Sequence, residues 1–99
     1  MENTYYANFW VTGDICLIEQ KVEVAGVIIT SSTSTKCVVS LYDGVNSNGK
    51  LLGTFRVAAD TSIVFNFPQI ILCNSGLYID IDSNTTGVMV VYRPIKEAI

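Results

Sequence analysis

Residues 76–94 read GLYIDIDSNTTGVMVVYRP, two apolar segments separated by a polar turn. In residues 77–82 apolar and polar side chains alternate, which is typical of a β-strand with one buried face. We expect the apolar side chains to line a core and the two aspartates to be solvated. The alternating sets are Leu77, Ile79 and Ile81 against Tyr78, Asp80 and Asp82.

The last apolar segment, residues 88–92, has no polar face. Val88, Val90 and Tyr92 alternate there with Met89 and Val91. A small two-layer domain covers only one face of a strand. We therefore predict that one of these two sets faces another chain or a terminal segment instead of water. Assembly with another chain is the first functional hypothesis.

The rest of the chain repeats the same rhythm of short strands and polar turns. β-branched or aromatic runs of five to nine residues alternate with clusters of Gly, Asn, Asp and Ser, a pattern typical of a sandwich or barrel. We predict an all-β fold, a small antiparallel β-sandwich of the jelly-roll or immunoglobulin-like type with seven or eight strands. The expected strands are 5–11, 15–19, 22–30, 36–42, 50–57, 62–67, 77–82 and 87–93.

Two of these segments also predict which side chains point inwards. In residues 62–67 we expect Ile63, Phe65 and Phe67 to face the core. In residues 51–57 the expected inward set is Leu51, Gly53, Phe55 and Val57.

Length and composition indicate one domain. A chain of 99 residues buries roughly 60–70% of its unfolded surface, enough for one core and not for two. With 49% apolar and 15% charged residues, it is too hydrophobic for disorder. We expect a single domain over residues 1–99, with 1–12 as an interface strand or arm and 94–99 as a flexible tail.

Charge and cysteine content exclude several classes of partner and compartment. The net charge is −3 and the cations are scattered, so no basic stripe for nucleic acid exists. No apolar run approaches the ~20 residues that span a bilayer. Three separated cysteines, Cys16, Cys37 and Cys73, together with an N-terminus unlike a signal peptide, favour a protein made in a reducing cytoplasm.

Catalytic and metal-binding constellations are weak. The chain has no histidine, which excludes the usual nucleophilic triads and most zinc sites. Asp80 and Asp82 resemble paired acids only in their spacing, and Asp43, Asn46 and Asn48 do not have the spacing of a calcium-binding EF-hand loop. We therefore predict no enzyme, no cofactor and no metal site.

The aromatic N-terminus is a stronger lead. Tyr5, Tyr6, Phe9 and Trp10 fall within six residues, and Tyr and Trp are enriched at the centres of protein interfaces. The same cluster also fits a core strand whose outer aromatics rest on a loop, or a sugar-binding platform. The predicted interface residues are Tyr6, Trp10, Met89 and Val91.

Several segments in succession carry a family resemblance: VAGVIITSS, VVSLYDG, an Asn/Ser/Gly loop, KLLGTFRVAADTSIVFNFP and GLYIDIDSNTTGVMVVY. Over residues 24–92 the chain resembles small all-β virion proteins of tailed bacteriophages, of the head-decoration, head-fibre or minor structural type. The most specific segments are LYDG at 41–44, GLY at 76–78 and GV at 87–88. The aromatic N-terminus and the terminal PIKEAI depart from the family pattern.

This resemblance implies a β-sandwich that docks on a virion or into a symmetric oligomer. The expected location is the virion, after synthesis in the host cytoplasm. The expected partners are further copies of the chain, in a trimer or higher oligomer, and a major capsid or other virion protein. The alternatives are a carbohydrate- or receptor-binding module of a fibre, a tail or neck adaptor, and a bacterial accessory subunit.

Overall fold

The computed structural model describes residues 7–95. They form eight β-strands and no helix. The strands are β1 (Ala7–Val11), β2 (Ile15–Ile18), β3 (Val22–Ser31), β4 (Cys37–Asp43), β5 (Lys50–Val57), β6 (Ser62–Cys73), β7 (Leu77–Ile81) and β8 (Thr85–Pro94). The predicted all-β class and strand number are confirmed.

The strands form two antiparallel four-stranded sheets. Sheet I has the order β1-β8-β3-β6 and sheet II the order β2-β7-β4-β5. The first strand pairs with the last, the second with the seventh, the third with the sixth and the fourth with the fifth. This is the arrangement of a long hairpin folded over on itself, the jelly-roll form of the β-sandwich.

The inner faces of the two sheets make one core. Its fully buried side chains are almost all β-branched or leucine, which suits the pleated inner surface of a sheet. They include Val24, Val27 and Ile29 of β3, Val39 and Leu41 of β4, Leu77 and Ile79 of β7, and Val88 and Val90 of β8. The expected inward sets of β7 and of residues 62–67 are therefore confirmed, with Ile81, Ile63, Phe65 and Phe67 partly buried against this core.

The sandwich has two lateral sides, each made of one edge strand from each sheet. On one side β5 lies over β6, as the ring centroids of Phe55 and Phe65 are 4.8 Å apart. On the other side β1 runs directly into β2 through residues 12–14. We call these the β5/β6 side and the β1/β2 side.

Strand β6 is longer than the predicted 62–67. It continues through Pro68 to Cys73, and residues 67–70 bulge out opposite Ala25 before pairing resumes between Ile71 and Val24. Proline lacks an N–H donor, but an edge strand tolerates it because one side of that strand needs no partner.

A bulge in β5 overturns one of the facing predictions. Leu41 pairs with Gly53 while the next residue, Tyr42, pairs with Leu51, so Leu52 is an extra residue. Leu52 packs against the core and Leu51 is 53% exposed. The alternation in sequence is real, but a bulge shifts the faces by one residue.

We expected Asp82 to be solvated, but its carboxylate is hydrogen-bonded within the protein. Asp82 also lies one residue beyond the end of β7. Its Oδ2 accepts a hydrogen bond from Val38 N–H (3.0 Å), and its Oδ1 accepts from Asn84 N–H (3.1 Å) and from Thr85 Oγ1 (2.9 Å). Asp82 therefore fastens the β7–β8 turn to the start of β4.

Asp43 has the same role at the other end of the sandwich. Its carboxylate accepts hydrogen bonds from Asn74 N–H (3.0 Å) and Ser75 N–H (2.9 Å). The 43–49 loop is further closed by Asn46, whose Oδ1 accepts from Asn48 N–H at 2.9 Å. The polar side chains in this loop thus bind backbone.

The C-terminal end of the described chain is anchored to the segment between β2 and β3. β8 includes Pro94, and Ile95 N–H donates to Lys21 O at 3.0 Å. The expected tail at 94–99 therefore begins with two anchored residues. Residues 96–99 and the N-terminal residues 1–6 are outside the part that the structure describes.

Candidate docking surface

The outer face of sheet I carries an uninterrupted apolar row across all four strands. Trp10 of β1 is paired with Met89 of β8, Met89 with Ile28 of β3, and Ile28 with Val64 of β6. Cross-strand partners lie on the same face of a sheet. These four residues, the apolar row, point away from the core because Val27, Ile29, Val88 and Val90 beside them are buried within it.

The row is exposed most strongly at its two ends. Trp10 is 44% and Val64 56% exposed, while Met89 and Ile28 are half-buried between their neighbours. All eight strands of the described chain belong to the two sheets, so no other strand of residues 7–95 covers this face.

A shallow depression lies beside the row. Asn8, Val91, Gly26 and Asn66 form the next line of cross-strand partners. Because Gly26 has no side chain, a hollow of about 100 Å³ opens here, and Ile28, Val64 and Val91 contribute to its walls. An alanine Cβ at position 26 would meet Phe65 O at 2.6 Å, so the β6 backbone would have to shift to accept a side chain there.

The charges on this face compensate each other. Arg93 Nη2 donates to Glu23 Oε1 at 2.6 Å, and Nε donates to the same oxygen at 3.1 Å. Glu23 and Arg93 are paired across β3 and β8, beside Leu72 of β6. The outer face of sheet I is thus apolar along the row, and the charges of Glu23 and Arg93 beside the row neutralise each other.

The indole ring of Trp10 lies over Gly87. An alanine Cβ at position 87 would come within 2.0 Å of the indole ring, so glycine is what allows the ring to rest on the β8 backbone. Trp10 is the single tryptophan of the chain.

Substitution Gly87→Ala is expected to displace this ring and shift the tryptophan emission maximum to longer wavelength by several nanometres. Fluorescence of the folded variant measures it. The matched variant Gly53→Ala, where the closest atoms to the new Cβ lie at 3.5 Å, should leave the emission unchanged. An unshifted Gly87→Ala spectrum would contradict the stacked position of Trp10.

The outer face of sheet II is chemically different. Tyr78 pairs with Tyr42, their ring centroids 6.2 Å apart, and Asp80 pairs with Ser40. Burial, followed by the neighbouring Asp14 carboxyl, raises the pKa of Asp80. Burial and the nearby Asp14 and Asp80 carboxyls raise the pKa of Tyr78. This face carries two tyrosines, the Asp80 carboxyl and, opposite Val38, Arg56, so the two outer faces of the sandwich are unlike.

The remaining reactive groups of the described chain do not form a site. All three cysteines are free thiols, with Cys37 and Cys73 buried and Cys16 half-buried, and burial with the nearby Asp43 raises the pKa of Cys73 to about 12. Among residues 7–95 no group of three His, Cys, Asp or Glu side chains could hold a metal ion. That region also has no helix with the length and apolarity to cross a membrane.

Of the predicted interface residues, the structure brings three together. Trp10, Met89 and Val91 share the outer face of sheet I. Tyr6 precedes the described residues. Ile28 and Val64 complete the surface and were not predicted as interface residues. The predicted inward set Ile63, Phe65 and Phe67 leaves Val64 on the outer face. The unbroken apolar run of β3 could have indicated that Ile28 is an apolar residue on that face.

A scan of protein-family models, a search of curated proteins and a search of solved structures each return no match to this chain.

Proposed function

We propose that this chain is a non-enzymatic structural protein of a tailed-bacteriophage virion, a capsid-decoration or head-fibre module that docks on the particle. The observation that carries the proposal is the apolar row on the outer face of sheet I, together with Val91. A soluble monomer gains nothing by exposing such a face, whereas a docked module buries it.

The chemistry of this surface suits a protein partner. The row itself consists of apolar side chains, and the Glu23–Arg93 ion pair at its margin is internally satisfied, so an apolar protein surface fits it better than a sugar or a nucleic acid does. The sequence resemblance over residues 24–92 supports the virion as the place of docking. A jelly roll occurs in viral capsid proteins and in unrelated lectins, so the fold alone is compatible with the role and does not choose it.

Docking on the repeated sites of a capsid also explains how a small contact area per copy can hold the chain on the particle. Many copies bind many equivalent sites, and even weak individual contacts hold when the module is itself multivalent. The polar outer face of sheet II then points away from the particle.

The test is attachment to particles. Mass spectrometry of purified virions of the phage that encodes the chain should detect it in many copies. The variants Met89→Lys and Val91→Lys, each on the central strand β8, place a charge in the middle of the docking face. Each should reduce co-sedimentation with particles at least tenfold, while circular dichroism reports an intact sheet.

The matched control is Ser40→Lys. Ser40 lies on a central strand of the opposite outer face, where its hydroxyl contacts Thr54 Oγ1 at 3.2 Å. This variant should attach as the unmodified chain does. Absence of the chain from purified virions would end the proposal, and equal loss of attachment in all three variants would exclude this face as the docking surface.

A further inference from the structure

Exposed apolar side chains concentrate on the edge strands. Among residues 7–95, six of the seven large exposed hydrophobic residues lie on β1, β5 or β6. They are Phe9 and Trp10 on the β1/β2 side, and Leu51, Val64, Ile70 and Leu72 on the β5/β6 side. Both lateral sides are therefore apolar, and edges of this kind are places where another chain adds.

The edge strands of sheet I lack the charges that usually protect edges. Neither β1, ANFWV, nor the twelve residues of β6, SIVFNFPQIILC, contains a charged residue. Natural proteins discourage edge pairing with such charges, above all lysine. On β6 the bulge and Pro68 interrupt the edge, but the segment 62–66 before them is regular.

The edges of sheet II carry opposite charges. The residues that immediately flank β2 are Asp14 and Glu19, whereas β5 contains Lys50 and Arg56. Lys21 and Asp60 are further along, in the loops that follow β2 and β5. On the β1/β2 side the strand β2 is thus flanked by acidic residues, whereas on the β5/β6 side the strand β5 contains basic ones.

The positions of these charges match along the strand direction. All neighbours in sheet II are antiparallel, so β2 and β5 run in opposite directions. Ile18 aligns through Leu77 and Asp43 with Lys50, which places Glu19 and Lys50 at the same end of the sandwich. Asp14, whose Oδ1 accepts from Ile81 N–H at 2.8 Å, and Arg56 lie at the other end.

We propose that the β1/β2 side of one copy of this chain binds the β5/β6 side of the next, in a closed ring. Two copies placed side by side in the same orientation bring Glu19 to Lys50 and Asp14 to Arg56. A two-fold contact between identical sides brings like charges together instead. With β5 against β5, Lys50 lies beside Arg56, and with β2 against β2, Asp14 lies beside Glu19. Charge complementarity therefore favours the head-to-tail contact. Such a contact forms a ring when its rotation closes, as it does in most soluble homo-oligomers.

Trp10 and Val64 lie at the ends of the apolar row and also on the lateral sides. The variants at Met89 and Val91 therefore test docking alone, and those at Glu19 and Lys50 test the ring alone.

Charge reversal tests the ring and its geometry. Sedimentation equilibrium of the purified chain should show an oligomer of at least three copies at high micromolar concentration. Lys50→Glu and Glu19→Lys should each weaken association about tenfold, as repulsion replaces an exposed attraction. An equimolar mixture of the two variants should associate more tightly than either variant alone, because each contact between unlike variants again joins opposite charges.

The control is Lys36→Glu, an exposed cation that precedes the central strand β4 and is not part of an edge strand, which should associate as the unmodified chain does. A monomer at high micromolar concentration overturns the proposal. Tighter association of Lys50→Glu would demonstrate the two-fold contact instead, because Glu at position 50 would then meet Arg56. Association unaffected by either reversal would exclude the lateral sides.

Discussion

Replacing Gly76 with alanine is expected to lower the free energy of unfolding by about 3 kcal/mol. Gly76 has φ +151°, and a Cβ there would lie 2.7 Å from Ile18 O and 2.9 Å from Gly44 O. Both obstacles are backbone atoms, so no side chain can rotate away. Gly76 O also accepts a hydrogen bond from Gly44 N–H at 3.2 Å, and the substitution would separate the two loops that this bond joins.

Urea denaturation followed by circular dichroism measures this loss. Gly13→Ala is the matched control, since nothing lies within 4 Å of a Cβ at position 13. It should change the free energy of unfolding by less than about 0.5 kcal/mol. Equal stabilities of the two variants would show that the 74–76 turn can relax away from its neighbours.

Leu41→Ala is expected to destabilise the fold by about 3 kcal/mol. Leu41 is 0% exposed and packs in the core between the two sheets. The loss has two sources, the apolar surface no longer buried and the cavity left where the neighbouring β-branched residues cannot close in.

The control is Leu51→Ala, on the strand paired with β4. Leu51 has the same side chain but is 53% exposed, because the bulge at Leu52 turns it outwards. It should lose less than about 0.5 kcal/mol in the same denaturation experiment. A loss at Leu51 as large as that at Leu41 would restore the inward position of Leu51 that the sequence alternation suggested.

The strands could be predicted because each is enclosed by turn-forming residues. Residues 43–49 concentrate Asp, Gly, Asn and Ser, which favour turn conformations over strand. The end of β6 could not be predicted in this way, since Pro68 usually ends a strand and is tolerated here only at a sheet edge. Whether a strand is an edge depends on the sheet order, which local sequence does not contain.

The docking surface was predictable only in part, because it also depends on the order of the strands in the sheet. The apolar pairs of β8 indicated that one set, Met89 and Val91, would point outwards, and the clustered aromatics singled out Trp10. Joining them to Ile28 and Val64 required the pairing of β8 with β3 and of β3 with β6. Likewise, the opposite charges of β2 and β5 gain meaning only once these strands are known to be the two edges of one sheet.

The position of β8 between β1 and β3 also determines when the protein can fold during its synthesis. β1 pairs with β8, so the first described strand must wait for the last before it has a neighbour in its sheet. Until residues 85–94 leave the ribosome, β3 lacks one of its two neighbours, and the uncharged β6 remains beside an unfinished core. Such distant pairings make folding slow and leave apolar edges open in the meantime. A chain of this design therefore completes its fold only once β8 is available, and until then chaperones or rapid assembly with other copies would do most to keep it soluble.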